Sequence, residues 1–279
     1  MPISPQLQLS SSKIRHKTAQ TRNFFWKLYS GNRIERIQKG LQMHRLIKKV
    51  SKLLYQSGLL TKAKSQKENW QEDAQKFEFN FHKGSLFRQS QEFIEETDRL
   101  FSCFGFYPSQ YEDKVILDLG AGSRLRSKYF VRAKLIALEP LADQFIKEID
   151  WCDLNDAWRV YSQPAETYIE ELERSIDFIM SINVLDHCFD FQKIIQNIYR
   201  YLKPDSIIFL SFDKHIETNK GHPLILTEKI CNKIFQSADL HIEKFVYGFP
   251  SEFTNFFPGR RGYGGQDTVS LNYWLGIGK

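Results

Sequence analysis

The stretch at residues 115–140, VILDLGAGSRLRSKYFVRAKLIALEP, restricts what this chain can fold into more than any other. Val115–Leu119 is an apolar run with a single acid, short enough for a buried strand, and Gly120-Ala121-Gly122 stops it. A strand that breaks at two glycines and runs on into a helix turns backbone N–H groups outward at the helix's positive end, a cradle for an anionic group. Leu135-Ile136-Ala137-Leu138 reads as a second buried strand, with Glu139 at its C-terminal end. Open α/β sheets bind their ligands in a crevice at such strand ends. A carboxylate there accepts from both hydroxyls of a ribose, with charged hydrogen bonds worth about 1.5–3 kcal/mol.

Two ligand classes fit that pattern. A dinucleotide binder wants G-x-G-x-x-G, so that the helix can approach the pyrophosphate, but the sixth position here is Leu125. The stretch instead resembles the first two motifs of the class I S-adenosylmethionine-dependent methyltransferases, D/E-x-G-x-G followed about twenty residues later by an acid. The resemblance implies that Asp118, Gly120, Ala121, Gly122 and Glu139 line the cofactor, the glycines beside its methionine end and the acid on its ribose. Arg124 stands where many members carry a third alternate glycine.

Later motifs follow in the family's order. Gln163-Pro164-Ala165-Glu166 is similar to the x-A-E turn beside the adenine, which would bring Ala165 and Glu166 to the cofactor; the same letters also read as a helix start with an acid in its first turn. Residues 176–187, IDFIMSINVLDH, match an apolar strand ending in N-x-L-[DE]-H, and Asn183 joins the implied cofactor contacts. Residues 201–211 match the L-K-P-x-G-x-L strand that follows, with Ser206 in place of the common glycine. The resemblance therefore covers residues 115–211. It implies a doubly wound, mostly parallel seven-stranded sheet flanked by helices, S-adenosylmethionine as cofactor, and methyl transfer to an O or N atom of a small-molecule, sugar or lipid-linked acceptor.

Such a displacement chiefly needs donor and acceptor aligned and water excluded. A base is needed only when the acceptor must lose a proton. Asp186 and His187 are the candidate catalytic residues, because an imidazole titrating near 6.5 can act at neutral pH. His215 and His222 fall near another strand end. The irregular spacing of Asp186, His187, His215 and His222 argues against a metal site, and none is expected.

Charge divides the chain at about residue 67. Of its 39 Lys and Arg, 15 fall within residues 1–67 with only one of the 33 acids, so this extension carries +14 and the remainder −8. The expected organisation is an extension at 1–67 and a catalytic domain at 68–279. Residues 1–22 read as disordered. Residues 33–56 read as a basic amphipathic helix, with Ile34, Ile37, Leu41, Ile47, Val50 and Leu54 on one side. Such a helix either packs on its own domain or rests on an anionic membrane surface or acidic partner. The aromatics Phe24, Phe25, Trp26 and Tyr29 form one cluster rather than an interleaved stacking platform, which argues against nucleic acid. Four widely spaced cysteines form no C-x-x-C pair, so the default setting is reducing and cytoplasmic, peripheral to a membrane if the helix binds one. The acid-free, Ser- and Arg-containing start also has the composition of an organellar transit peptide.

The segment before the first strand is rich in aromatics. The alternation of Phe77, Phe79 and Phe81 favours a strand with Glu78 and His82 on its wet side. The family resemblance instead places such elements over the cofactor, with Glu78, His82 and Arg88 lining the pocket. Residues after Ser85 read as helical through Phe106, and later elements as a helix at 141–149, a strand at 158–161, a helix at 227–239 capped by Thr227, and strands at 240–249 and 268–276. The long connection at 250–267 reads as an acceptor lid, with Phe256, Phe257 and Tyr263 for packing and Arg260 and Arg261 for an anionic group. Two further functions fit parts of this pattern: a non-catalytic cofactor-binding protein that uses its basic tail for interaction, and an NAD-dependent oxidoreductase.

Overall fold

A computed structural model of the chain describes residues 66–219, 221–264 and 268–277. The expectations for residues 1–65, including the basic helix and its membrane or acidic partner, lie outside them. No helix among the described residues is long and apolar enough to cross a membrane.

Seven strands, β1 (Val115–Leu119), β2 (Lys134–Leu138), β3 (Arg159–Tyr161), β4 (Ile176–Ile182), β5 (Leu202–Asp213), β6 (Leu240–Tyr247) and β7 (Ser270–Ile277), form one sheet in the order β3-β2-β1-β4-β5-β7-β6. Only β7 runs antiparallel to its neighbours. The central strands are continuous apolar runs because both of their faces are covered. Ile116, Leu117, Phe178 and Ile179 are fully buried.

The α-helices of seven or more residues among the described residues are α1 (Gln75–Gly84), α2 (Gln91–Cys103), α3 (Ala142–Glu148), α4 (Phe191–Tyr201) and α5 (Glu228–Ser237). Side chains of the central strands alternate between cores on the two sides of the sheet. Leu117, Leu119 and Ile179 pack with Ile194, Ile195 and Ile198 of α4 and Phe235 of α5. Ile116, Phe178 and Phe209 pack with Leu100 and Phe101 of α2 and with Phe106, Phe130 and Trp274. Aromatic rings dominate this second core, and Tyr111 stacks on Phe178 with centroids 4.2 Å apart. Asp190 caps α4 by accepting from Lys193 N, and Thr227 caps α5 by accepting from Ile230 N, as its position before the apolar run predicts.

Two local expectations are corrected. Residues 77–81 are helical, within α1, and not a strand. The burial of Trp70, Ala74, Phe79 and His82 follows a helical face, whereas Phe77 and Phe81 are 60% and 52% exposed. Glu78 and His82, four residues apart, thus share one side of the helix instead of facing bulk water. No helix starts at Pro164; residues 164–168 form a turn. The left-handed residue before β5 closes on its partner is Asp205, at φ +63°, so Ser206 carries no strain and its hydroxyl donates to Ile176 O.

The connection at 250–264 is seated rather than loose. Phe253 is buried, packed between Phe249 and Phe257. Arg260 Nη1 donates to Glu96 Oε2 at 2.5 Å, and Arg126 reaches the other oxygen of Glu96 at 3.9 Å. Glu96, 3% exposed, is among the described residues the carboxylate within ion-pair distance of both partly buried guanidinium groups. Glu96→Ala leaves both uncompensated and is expected to destabilise the fold by about 3–5 kcal/mol in urea unfolding; a loss under 1 kcal/mol would mean that solvent already screens the pair.

Candidate active site

The C-terminal ends of β1, β2, β4 and β5 open into one cleft of about 350 Å3, covered on the outside by α1. Asp118, Gly120, Ala121, Gly122, Glu139, Ala165, Glu166, Asn183 and His187 all line it, and Asp186 lies directly beneath His187. The residues picked out in the sequence are therefore brought together.

Glu139 organises the donor side. Its Oε2 accepts from Gly122 N and its Oε1 from Leu141 N, each at 3.0 Å. Burial pushes its carboxyl up to about 7, opposed by these two bonds, with repulsion from Glu78 adding to the rise. Each oxygen still has a lone pair for a ligand donor. Gly120 and Gly122 have φ of +74° and +65°, a conformation that L side chains rarely adopt. A Cβ at Gly120 would lie 2.2 Å from Val184 Cγ1, and one at Gly122 2.6 Å from His82 Cε1.

The loop is not the open helix N-terminus that the glycines suggest. A short 3-10 turn, Arg126–Tyr129, follows in place of an α-helix. Side chains capture the outward N–H groups: Ser123 N donates to His82 Nδ1, Leu125 N to Asp153 Oδ1 and Ser127 N to Asp118 Oδ2. The anionic cradle is thus closed by protein acceptors. Burial raises Asp118 to about 6 and drives the His82 pKa well below its ordinary value, which agrees with a neutral ring accepting at Nδ1. Arg124, in the place of a third glycine, points away and donates to the carbonyls of Arg88, Gln89 and Ser90.

The x-A-E turn is held from both sides. Asn197 Nδ2 donates to Ala165 O, and Glu166 Oε1 accepts from Phe189 N and Asp190 N. Glu166 Oε2 is buried without a hydrogen-bond partner among the described residues. Asn183, at φ +58°, turns the chain out of β4.

At the other end of the cleft stand Asp186, His187, His215 and His222. Asp186 Oδ2 lies 3.0 Å from His215 Nε2, 3.1 Å from His222 Nδ1 and 3.7 Å from His187 Nε2. The facing imidazoles hold its carboxyl well below the usual range despite burial. His187 sits between Asp186 and Glu78, which raise it to about 9 against the effect of burial, so it is a cation at neutral pH rather than a ready base. Irregular spacing along the chain does not keep these groups apart.

Arg88 and Arg126 join His187 in bringing positive charge to the cleft, and the lid pair Arg260 and Arg261 does not. Arg260 is bound to Glu96, and Arg261 is exposed and outside the cleft. Tyr263 does line the cleft, its hydroxyl 2.5 Å from Ser211 Oγ, while Asp213 accepts from Tyr263 N and Gly264 N. Arg126, Asp213 and Trp70 were not legible as site residues. Trp70 donates to His187 O across 117 positions of sequence, which no local pattern announces.

The family model described as "Methyltransferase domain" matches residues 86–242, more than half of the chain. Among solved structures, the Burkholderia thailandensis 1,6-didemethyltoxoflavin N1-methyltransferase, with bound 1,6-didemethyltoxoflavin and S-adenosylhomocysteine, is 14% identical at a TM-score of 0.52, covering 79% of this chain and 93% of its own. A candidate sarcosine dimethylglycine methyltransferase from Galdieria sulphuraria is 15% identical at a TM-score of 0.50, covering 74% and 97%. No curated protein sequence matches the chain. By the family match, its sheet order and the motifs at residues 115–211, the chain belongs to the class I S-adenosylmethionine-dependent methyltransferases.

Proposed function

We propose that the cleft binds S-adenosylmethionine with its ribose on Glu139 and transfers the methyl group to an oxygen or nitrogen of a small-molecule acceptor, sugars and lipid-linked molecules included. The observation that carries this reading is the Glu139 carboxylate, buried at the end of β2 beside two left-handed glycines, with acceptor capacity to spare. The unpartnered Glu166 Oε2 fits a second ligand donor, and Arg88 and Arg126 fit a ligand carboxylate. When bound, the cofactor would supply an electrophilic methyl group on its sulfonium, with S-adenosylhomocysteine as the leaving group.

The protein's own part is alignment and exclusion of water. Phe77, Phe81 and Phe145 wall the cleft, and α1 closes over it from outside the sheet. A dinucleotide fits less well, because no helix N-terminus follows Gly122 to meet a pyrophosphate.

Isothermal titration with S-adenosylhomocysteine and NAD separates these readings. The full-length protein is expected to bind the adenosyl ligand and not NAD, and Glu139→Ala to weaken that binding by about 10-fold or more. Unchanged affinity in the variant would remove the ribose assignment. Because the ribose hydroxyls donate to the ionised carboxylate, affinity should rise with pH through about 7 and level off above it, and Glu139→Gln should abolish this dependence.

Stability of the ligand-free protein follows the opposite sign. The folded-state carboxyl titrates near 7 rather than its usual 4.5, so its contribution is full below pH 4.5 and is lost as pH rises through 7. Thermal unfolding should therefore show Glu139→Gln gaining on the wild type between pH 5 and pH 8. A constant difference would mean that the carboxyl titrates normally.

A further inference from the structure

The group at the far end of the cleft is built around a single oxygen atom. Three imidazole nitrogens face Asp186 Oδ2, while Asp186 Oδ1, fully buried, has no hydrogen-bond partner among the described residues. His222 Nδ1 is likewise buried without a well-aligned hydrogen bond, although it is 3.1 Å from the carboxylate. A cluster whose purpose was to satisfy Asp186 by hydrogen bonds would spread its donors over both oxygens. The Asp186 oxygen and the nitrogens of His215 and His222 can instead present lone pairs to one point, the arrangement found around a cation.

We propose that Asp186, His215 and His222 bind a divalent transition-metal ion of the zinc class. The three donor atoms lie within 4.8 Å of one another. A tetrahedral ion with bonds of about 2.0–2.1 Å sets adjacent ligand atoms about 3.3 Å apart, against the 3.0 and 3.1 Å measured between Asp186 Oδ2 and the two histidine nitrogens. Two nitrogen donors select against magnesium and calcium, which prefer all-oxygen shells. Three protein ligands leave a fourth position open, the pattern of catalytic rather than structural zinc.

The surrounding bonds aim these ligands. His215 N donates to Leu226 O, and Asn219 Oδ1 accepts from Gly221 N and His222 N, so the loop after β5 folds back and sets His222 against His215 with ring centroids 4.2 Å apart. His187 is fixed by Gly221 O and Glu78, and stands beside the triad as an outer partner.

Position gives the site its use. Glu139 ends β2 and His215 follows β5, three strands away in the sheet order and so about 14 Å across. On the reading that Glu139 holds the ribose, the ion sits where the acceptor enters. An ion there would lower the pKa of an acceptor hydroxyl or phenol, which narrows the acceptor to an oxygen nucleophile: its proton passes to solvent, and its oxygen bonds the methyl carbon as the carbon–sulfur bond breaks.

The test uses tag-free, full-length protein stripped with a chelator and titrated with Zn2+ and with Co2+. One equivalent of each should bind, with Co2+ producing visible ligand-field absorption. His215→Gln and His222→Gln should each weaken binding by about 100-fold or more, beyond what loss of an outer partner costs, while His241→Gln, at an exposed position, should not. His222 is on a partly exposed loop, so its variant should stay folded even if the His215 variant does not. No saturable binding by folded protein, or binding that His222→Gln leaves unchanged, overturns the proposal. Titration of the same samples with S-adenosylhomocysteine keeps the two readings apart, since metal binding without adenosyl binding would retain the ion site and remove the methyltransferase reading.

Discussion

The carboxylate of Glu139 is the interaction on which the donor side depends. It joins the end of β2 to the glycine loop that leaves β1 and to the start of the segment leading into α3, through two backbone N–H groups. Burial without a cation in direct contact raises its proton affinity, and those two bonds limit the rise. The same group thus shapes the glycine loop and remains able to accept from a ligand, so architecture and binding are not separable at this position.

The pattern repeats around the rim of the sheet. Asp118 accepts from Ser127 N, Asp153 from Leu125 N, Glu166 from Phe189 N and Asp190 N, and Asp213 from Tyr263 N and Gly264 N. Loops carry backbone donors that regular structure would otherwise satisfy, and a buried N–H without a partner is costly. Acids supply those partners, and Asp118, Glu166 and Asp213 among them gather negative charge at the cleft. Arg88 and Arg126 offset it, and burial, with repulsion from Arg126 adding to it, brings the Arg88 pKa down to about 10. The cleft therefore combines both charge signs in a partly dehydrated space, where charged groups act strongly on a ligand.

Much of this was legible from residues 115–211. Apolar runs bounded by turns located β1, β2 and β4, and the position of Glu139 after β2 followed from the run before it. Three features were not legible, for physical reasons. The alternating phenylalanines at 77–81 mimic a strand, but tertiary burial of Trp70, Ala74, Phe79 and His82 selects the helix. The glycine pair suggests a helix N-terminus, yet His82 and Asp153, distant in sequence, join Asp118 in taking the outward donors and a short turn results. The convergence of His215 and His222 on Asp186 depends on a loop closed by Asn219, a contact that spacing alone does not reveal.

The most direct measurement is a crystal structure of the protein with S-adenosylhomocysteine. The account predicts both ribose hydroxyls within hydrogen-bond distance of the Glu139 carboxylate, with the glycine loop beside the thioether. A well-ordered ligand whose ribose is held by another group, or that occupies a site outside this cleft, would contradict it.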